Sequence, residues 1–104
     1  MSIFSSLFGM GVKTEDLKSM VQNGALIIDV RSPEEFRSGH IPQSQNIPLQ
    51  QLEQKVAGIK QKNKAVITVC QSGARSGMAT TILKRAGVEV VNGGGWSSLQ
   101  NKLR

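Results

Sequence analysis

The chain has 104 residues, of which 38% are hydrophobic and 19% are charged, a composition that fits one folded domain and excludes an intrinsically disordered chain. Its net charge is +6, but no aromatic residue lies among the basic residues Lys55, Lys60, Lys62 and Lys64, which argues against nucleic-acid binding. A single cysteine excludes an intramolecular disulfide, a CxxC redox pair and a Cys-rich zinc site.

Residues 1–12 are expected to be an N-terminal extension ahead of a domain at residues 13–104. The extension has apolar residues at helical spacing, including Phe4 and Phe8, but it lacks the basic start and the cleavage site of a signal peptide. No part of the sequence approaches the roughly 20 apolar residues of a membrane-spanning helix. A lone cysteine also suits a reducing compartment. We therefore expect a cytoplasmic monomer with no stable membrane insertion and no nucleic-acid partner.

Two short helices flank the first predicted strand. Thr14 is a suitable N-cap for a helix that has acidic residues in its first turn and ends at Asn23-Gly24. The aliphatic run at residues 25–30 is too short for a helix and predicts a strand buried on both faces, as in a parallel sheet. Ser32-Pro33 then begins a second helix, which ends at Gly39.

The second half of the chain alternates in the same way. An extended Asn46-Ile47-Pro48 segment leads into a third helix, whose apolar residues recur at helical spacing: Leu49, Leu52, Val56 and Ile59. Residues 64–69 predict a second buried strand that ends at Cys70, and a polar loop leads from there to a helix at Ser76. The predicted buried face of that helix consists of Met78, Ala79, Ile82, Leu83 and Ala86.

The chain then reaches its last predicted strand at residues 88–91. The run Asn92-Gly93-Gly94-Gly95 predicts a turn, and a terminal helix follows from Trp96 to Leu103. Strands that alternate with helices throughout the sequence are typical of the α/β class.

Cys70 is the candidate reactive residue because it follows a buried strand and precedes a polar, glycine-containing loop. In open α/β sheets, ligands bind beyond the carboxyl ends of the strands, and the following turn directs backbone N–H groups to one point. Those groups and the start of the next helix favour a negative charge, so we expect a thiolate near neutral pH. The alternative, an inert buried thiol, explains neither the Gly73 loop nor Arg75 at the helix entrance.

Several motifs of the sequence occur together in one known family. The segment CQSGARS at residues 70–76 resembles the active loop of rhodanese-like domains. Further matches follow the family's order and approximate spacing over about residues 14 to 103: Asp29-Val30-Arg31, Glu35-Phe36, Gly39-His40-Ile41-Pro42, Asn46-Ile47-Pro48, Gly93-Gly94 and Trp96. The resemblance implies a rhodanese-like, doubly wound sheet of mostly parallel strands with helices on both faces.

The resemblance also implies a thiosulfate sulfurtransferase activity. Cys70 would attack the outer sulfur of a small anionic donor such as thiosulfate, release sulfite and hold the sulfur as a persulfide. A thiol, cyanide or a thioredoxin-like protein would then accept this sulfur, and such a transfer needs neither a metal nor an organic cofactor. By resemblance, the persulfide is cradled by the backbone of six consecutive residues: Gln71, Ser72, Gly73, Ala74, Arg75 and Ser76.

The charged residues near the loop have less direct predicted roles than Cys70 and the loop backbone. Arg75 has two candidate roles, because its guanidinium suits an oxyanion donor but also a carboxylate such as Glu35. The family treats Asp29 and Arg31, which end the first buried strand, as largely structural. We therefore assign supporting roles to Asp29, Arg31 and Glu35. His40 lies in a turn, where a hydrogen-bonding structural role is favoured over that of a catalytic base.

Two other functions share parts of this pattern. Cell-cycle dual-specificity phosphatases and some arsenate reductases have five residues between Cys and Arg, whereas four separate Cys70 from Arg75. By family comparison, the shorter loop suits one added sulfur better than a tetrahedral oxyanion, and neither Asp16 nor Asp29 lies in an obvious lid to serve as general acid. The second alternative is a binding module of the same fold that is non-catalytic or only carries sulfur. The intact Cys70 argues against this alternative.

Overall fold

The computed structural model describes residues 13–104, and the expected extension at residues 1–12 lies outside this part of the chain. The strands are β1 (Leu26–Asp29), β2 (Gln45–Asn46), β3 (Val66–Cys70) and β4 (Val90–Gly95). The α-helices are α1 (Thr14–Gln22), α2 (Pro33–Ser38), α3 (Leu52–Gln61), α4 (Ala74–Arg85) and α5 (Trp96–Leu103), and a short 3-10 helix (Leu49–Gln51) precedes α3. None of the helices in residues 13–104 has both the length and the apolar character needed to cross a membrane.

The described strands form one parallel sheet in the order β2-β1-β3-β4. Successive residues of the central strands belong to different core clusters. Ile27 and Ile67 pack with residues of α1 and α5, whereas Ile28 and Val66 pack with residues of α3 and α4. Because successive side chains of a strand point to opposite faces of a sheet, helices cover both faces. The predicted doubly wound α/β architecture is therefore confirmed.

The sequence predicted the N-cap of α2 correctly but not that of α1. Ser32 caps α2 in a reciprocal capping box with Glu35, and Pro33 is the first helical residue, as predicted. The prediction that Thr14 caps α1 was wrong, because Lys13 has the extended backbone of the cap position and Thr14 is already helical.

Two predictions about α4 also need correction. The helix begins at Ala74, earlier than the predicted start at Ser76, and Met78 is 52% exposed instead of buried. Hydroxyl side chains share the inner positions of α4 with aliphatic ones: Ser76, Ala79, Thr80 and Leu83 are buried. An apolar pattern alone therefore misplaced the inner face of this helix.

The glycine-rich segment predicted as a turn belongs to β4. Gly95, the last residue of the strand, pairs with Cys70 of β3. A Cβ atom on Gly93 would lie 2.7 Å from Ile67 Cγ2 and 2.9 Å from the Thr68 carbonyl oxygen. Glycine is needed at this position because the backbone of β4 closely approaches β3, and the strand thereby extends to the edge where the cysteine lies.

Candidate active site

Cys70 lies at the carboxyl end of β3, one of the two central strands. It is 1% exposed, and its partner in the sheet is Gly95. A Cβ atom on Gly95 would lie 2.9 Å from the carbonyl oxygen of Gln71, so glycine leaves room for the loop that follows the cysteine. The thiol is therefore located where the carboxyl edge of the sheet meets the start of α4, as the sequence predicted.

The loop after Cys70 folds back onto its sulfur atom. Gly73 has a φ of 109°, a left-handed conformation that glycine adopts readily, and its backbone N–H donates to Cys70 Sγ at 3.0 Å. The Cys70 thiol donates to Ser76 Oγ at 3.3 Å. Gly73 is also the N-cap of α4, so the positive end of the helix dipole lies beside the sulfur.

Burial and hydrogen bonding act on the Cys70 thiol in opposite directions. Burial is the largest single influence and raises the pKa of the thiol. Hydrogen bonds that the Ser76 hydroxyl and the backbone N–H groups of Ser76, Gly73 and Ser72 donate to the ionised sulfur together outweigh it, so the pKa of Cys70 falls below its ordinary value. The predicted preference for a thiolate thus has a structural cause in the loop.

A polar network that the sequence analysis missed surrounds Ser76. The Ser76 hydroxyl donates to Asn92 Oδ1 at 2.6 Å and lies 3.1 Å from the Gly73 carbonyl oxygen. Asn92 Oδ1 also accepts the Gly94 N–H at 2.9 Å, and Asn92 Nδ2 donates to the Gly73 carbonyl oxygen at 3.2 Å. The only hint in the sequence was that this polar amide directly follows the last predicted strand, at residues 88–91, and precedes a glycine run.

Arg75 forms a bidentate ion pair with Glu35 of α2, in which Nη1–Oε1 is 2.7 Å and Nη2–Oε2 is 2.9 Å. Glu35 also accepts the backbone N–H of Ser32 at 3.0 Å. The hydrogen bonds from the Arg75 side chain and the Ser32 backbone lower the pKa of Glu35 to about 2, and Glu35 raises the pKa of Arg75. Of the two arrangements considered for Arg75, the structure contains the ion pair with Glu35, which ties the loop to α2.

Asp29 and Arg31 form a second pair at the carboxyl end of β1, and both residues are buried. Arg31 Nη2 lies 2.7 Å from Asp29 Oδ2, and Arg31 Nε lies 2.9 Å from Asp29 Oδ1. The guanidinium also donates to the carbonyl oxygens of Glu35 at 3.2 Å and Gly39 at 2.7 Å, and it lies 4.8 Å from the centre of the Trp96 ring. The pair therefore holds α2 in place, which suits the supporting role predicted for it.

A shallow cleft with a volume of about 210 Å³ opens beside the loop. Six residues line it: Arg31, Glu35, Ser38, Gly39, Gln71 and Trp96. A larger cleft of about 320 Å³ lies at the opposite edge of the sheet, where Lys60 and Glu89 are among its walls, and none of its described lining residues is a cysteine or histidine. The smaller cleft is the candidate substrate entrance because it borders the loop that holds Cys70.

The remaining predicted site residues fall into two groups. The backbones of Ser72, Gly73 and Ser76 face the sulfur, whereas Gln71 and Ala74 are exposed on the surface of the loop. His40 lies elsewhere, with Nδ1 2.7 Å from the Phe36 carbonyl oxygen and its ring stacked on that of Phe36. Within residues 13–104, no three His, Cys, Asp or Glu side chains gather as they would around a metal ion.

The sequence of the chain is similar to that of known proteins over most of its length. A family model described as "Rhodanese-like domain" matches residues 13–102. The chain is 42% identical over 82 residues to uncharacterized protein YqhL of Bacillus subtilis, and the match covers 77% of this chain but 64% of YqhL, just under two thirds. It is 39% identical over 70 residues to thiosulfate sulfurtransferase PspE of Escherichia coli, with 65% of this chain and 67% of PspE covered.

Solved structures show the same architecture. The human single-domain sulfurtransferase TSTD1 matches with a TM-score of 0.72 at 28% identity, covering 88% of this chain and 95% of TSTD1. An Escherichia coli structure described as rhodanese with anions matches with a TM-score of 0.65 at 36% identity, covering 71% of this chain and 89% of that one. The similarity therefore extends over nearly the whole of both solved domains.

Proposed function

Because the chain belongs to the rhodanese-like family, we propose that it is a thiosulfate sulfurtransferase that carries the transferred sulfur as a persulfide on Cys70. The observation that carries this proposal is the enclosure of Cys70 Sγ by its own loop, in which the Gly73 N–H donates to the sulfur at 3.0 Å. A thiolate in such a loop is a nucleophile, and N–H groups directed at it can also stabilise charge on a second sulfur.

The first half of the reaction loads the cysteine. The Cys70 thiolate attacks the outer sulfur of thiosulfate or a similar donor, and a new S–S bond forms. The S–S bond of the donor breaks, and sulfite leaves with the electron pair. The negative charge then resides on the outer sulfur of the persulfide, which the backbone of residues 71–76 is proposed to cradle.

The second half unloads the cysteine. A small thiol, cyanide or a thioredoxin-like protein attacks the outer sulfur, the persulfide S–S bond breaks, and Cys70 is released as a thiolate. Two partners thus bind one site in turn, which predicts ping-pong kinetics. A thiol that must stay reduced between turnovers suits a cytoplasmic location.

The charge of the donor is proposed to be held chiefly by backbone N–H groups. Arg75 is the cation of the loop, and both of its terminal nitrogens already bond to Glu35 at 2.7 and 2.9 Å. The N–H groups of Ser72, Gly73 and Ser76 already act on Cys70. A donor anion that enters the 210 Å³ cleft beside Gln71 would approach these groups.

The intact mass of the chain after incubation with thiosulfate tests the proposal. We expect one added sulfur atom, which cyanide removes as thiocyanate. Cys70→Ser should acquire no sulfur while its unfolding curve remains that of a folded domain. No adduct on the wild-type chain would refute the transferase proposal, and full transfer by Cys70→Ser would refute the site. Hydrolysis of an aryl phosphate, measured in parallel, would instead support the phosphatase alternative.

A further inference from the structure

One hydroxyl group joins Cys70 to a residue outside its loop. Ser76 is fully buried, and its Oγ lies near two acceptors, Asn92 Oδ1 at 2.6 Å and the Gly73 carbonyl oxygen at 3.1 Å, and near Cys70 Sγ at 3.3 Å, which becomes a third acceptor when the thiol ionises. A serine hydroxyl has a single proton to donate. Asn92, at the shortest distance, therefore competes with the sulfur atom for that proton.

We propose that Asn92 is a positioning residue that controls when the Ser76 hydroxyl donates a hydrogen bond to Cys70 Sγ. This inference rests on the proposed function of Cys70 as the sulfur carrier. While Cys70 is a thiol, it donates to Ser76 Oγ, and the Ser76 hydroxyl donates to Asn92 Oδ1. When the thiol loses its proton to water, the Ser76 hydroxyl turns to the thiolate. Asn92 Oδ1 then keeps the Gly94 N–H as its donor.

Loading with sulfur reverses this change. In the persulfide the negative charge resides on the outer sulfur, so Sγ no longer requires the Ser76 proton. The hydroxyl returns to Asn92 Oδ1, where the 2.6 Å contact is restored. Asn92 therefore disfavours the free thiolate relative to the persulfide, and its presence shifts the equilibrium toward the sulfur-loaded state.

The orientation of the Asn92 amide is fixed by two backbone groups. The Gly94 N–H needs an acceptor and points to Oδ1 at 2.9 Å, whereas the Gly73 carbonyl needs a donor and faces Nδ2 at 3.2 Å. A flipped amide would lose both contacts. A Cβ atom on Gly77 would lie 3.4 Å from Nδ2, so glycine in the first turn of α4 leaves space for the amide.

Few charged groups lie near the thiol. The loop contributes Arg75, which is paired with Glu35 of α2, and β1 ends in the paired Asp29 and Arg31. The sequence of β4 is VVNGGG, which has no charged residue, and the charged side chains of α3 belong to exposed residues. An uncharged substitution of Asn92 leaves all of these groups in place. A change in the ionisation of Cys70 would then come from the hydroxyl network.

The pH dependence of Cys70 alkylation by iodoacetamide tests the proposal without relying on sulfur transfer. We expect Asn92→Ala to free the Ser76 hydroxyl for the thiolate and to lower the midpoint by roughly one pH unit, about a tenfold change in the acid dissociation constant. Asn92→Asp retains an acceptor and adds a negative charge, so its midpoint should rise. Asn101→Ala, on the exposed surface of α5, is the matched control and should not move it.

A double-mutant cycle separates this role from a merely structural one. In a Ser76→Ala background, Asn92→Ala should leave the alkylation midpoint unchanged, because the group through which Asn92 acts is gone. An equal shift in both backgrounds, or a higher midpoint for Asn92→Ala alone, would overturn the proposal. At fixed thiosulfate and sulfite, and at a pH above both alkylation midpoints where free Cys70 is a thiolate, the ratio of sulfur-loaded to free protein should also be about tenfold lower for Asn92→Ala than for wild type. If the midpoints shift as expected but the wild-type chain takes up no sulfur, the proposed function fails and the control of the thiol by Asn92 stands.

Discussion

Two arginine–carboxylate pairs lie near the candidate site, and they differ mainly in their contact with solvent. Each has a closest N–O distance of 2.7 Å. The side chains of Arg31 and Asp29 are 3% and 0% exposed, whereas those of Arg75 and Glu35 are 36% and 35% exposed. Removal of one partner from a buried pair leaves an uncompensated charge in the protein interior, whereas an exposed charge is readily solvated.

The two pairs also connect different parts of the chain. Arg31 and Asp29 are two residues apart at one strand end, while 40 positions separate Arg75 from Glu35. The buried pair lies at the end of β1, and its arginine holds α2 by donating to the carbonyl oxygens of Glu35 and Gly39. The exposed pair then joins the Cys70 loop to that helix. We infer that the buried pair stabilises the fold and that the exposed pair positions the Cys70 loop.

The largest expected effect is that of Asp29→Asn. The substitution keeps the shape of the side chain but leaves the Arg31 charge unpaired in the interior, so unfolding should become easier by about 3 kcal/mol or more. Urea unfolding measures this change. Glu34→Gln removes the same charge from an exposed position of α2 and should alter stability by less than about 0.5 kcal/mol. A similarly small effect for Asp29→Asn would contradict the inference.

The contact between Trp96 and Arg31 can be tested from the side of Gly39. A Cβ atom there would lie 3.0 Å from Trp96 Cη2, so Gly39→Ala should displace the ring that packs on the guanidinium. We expect a loss of about 1–2 kcal/mol, measured by urea unfolding with the fluorescence of the single Trp as the signal. A Cβ atom on Gly58 of α3 would meet nothing within 4 Å, so Gly58→Ala should instead stabilise the domain by about 0.5–1 kcal/mol. Equal effects of the two substitutions would argue against tight packing at Gly39.

The exposed pair should have little effect on stability and a measurable effect on transfer. We expect Glu35→Gln and Arg75→Gln each to lower the unfolding free energy far less than Asp29→Asn does, because solvent screens an exposed ion pair. If the pair acts by positioning the loop, both variants should raise the KM for thiosulfate by similar factors. A far larger increase for Arg75→Gln would show that the guanidinium itself holds the donor.

The sequence was sufficient where structure depends on neighbouring residues. The aliphatic run around Ile27 and Ile28 identified a buried strand, and Ser32-Pro33 identified the start of α2. The position of Cys70 at a strand end followed from the same kind of local pattern. The motifs CQSGARS and Asp29-Val30-Arg31 then indicated the rhodanese-like family and, through it, the fold.

The sequence was insufficient where contacts join distant segments. Met78 was assigned to the inner face of α4 because it is apolar, but hydroxyl residues share that face with Ala79 and Leu83. Thr80 Oγ1 of α4 lies 2.9 Å from Thr68 Oγ1 of β3, which donates to the Ser76 carbonyl oxygen at 3.0 Å. Polar residues fit a core only when their partners are known. Asn92 was missed for the same reason, since its role depends on how closely β4 approaches α4.

The smallest effect that we expect is the pH dependence of the exposed pair. Hydrogen bonds from Arg75 and Ser32 lower the pKa of Glu35 from 4.5 to about 2, so the folded state holds the ionised carboxylate more strongly than the unfolded state. The contribution of the pair to stability is therefore fully present above pH 4.5 and is lost as the pH falls toward about 2. The difference in unfolding free energy between wild type and Glu35→Gln should stay constant from neutral pH down to about 4.5 and shrink below it. A Glu35→Gln difference that grows on acidification would show that the carboxylate is not stabilised in the folded state.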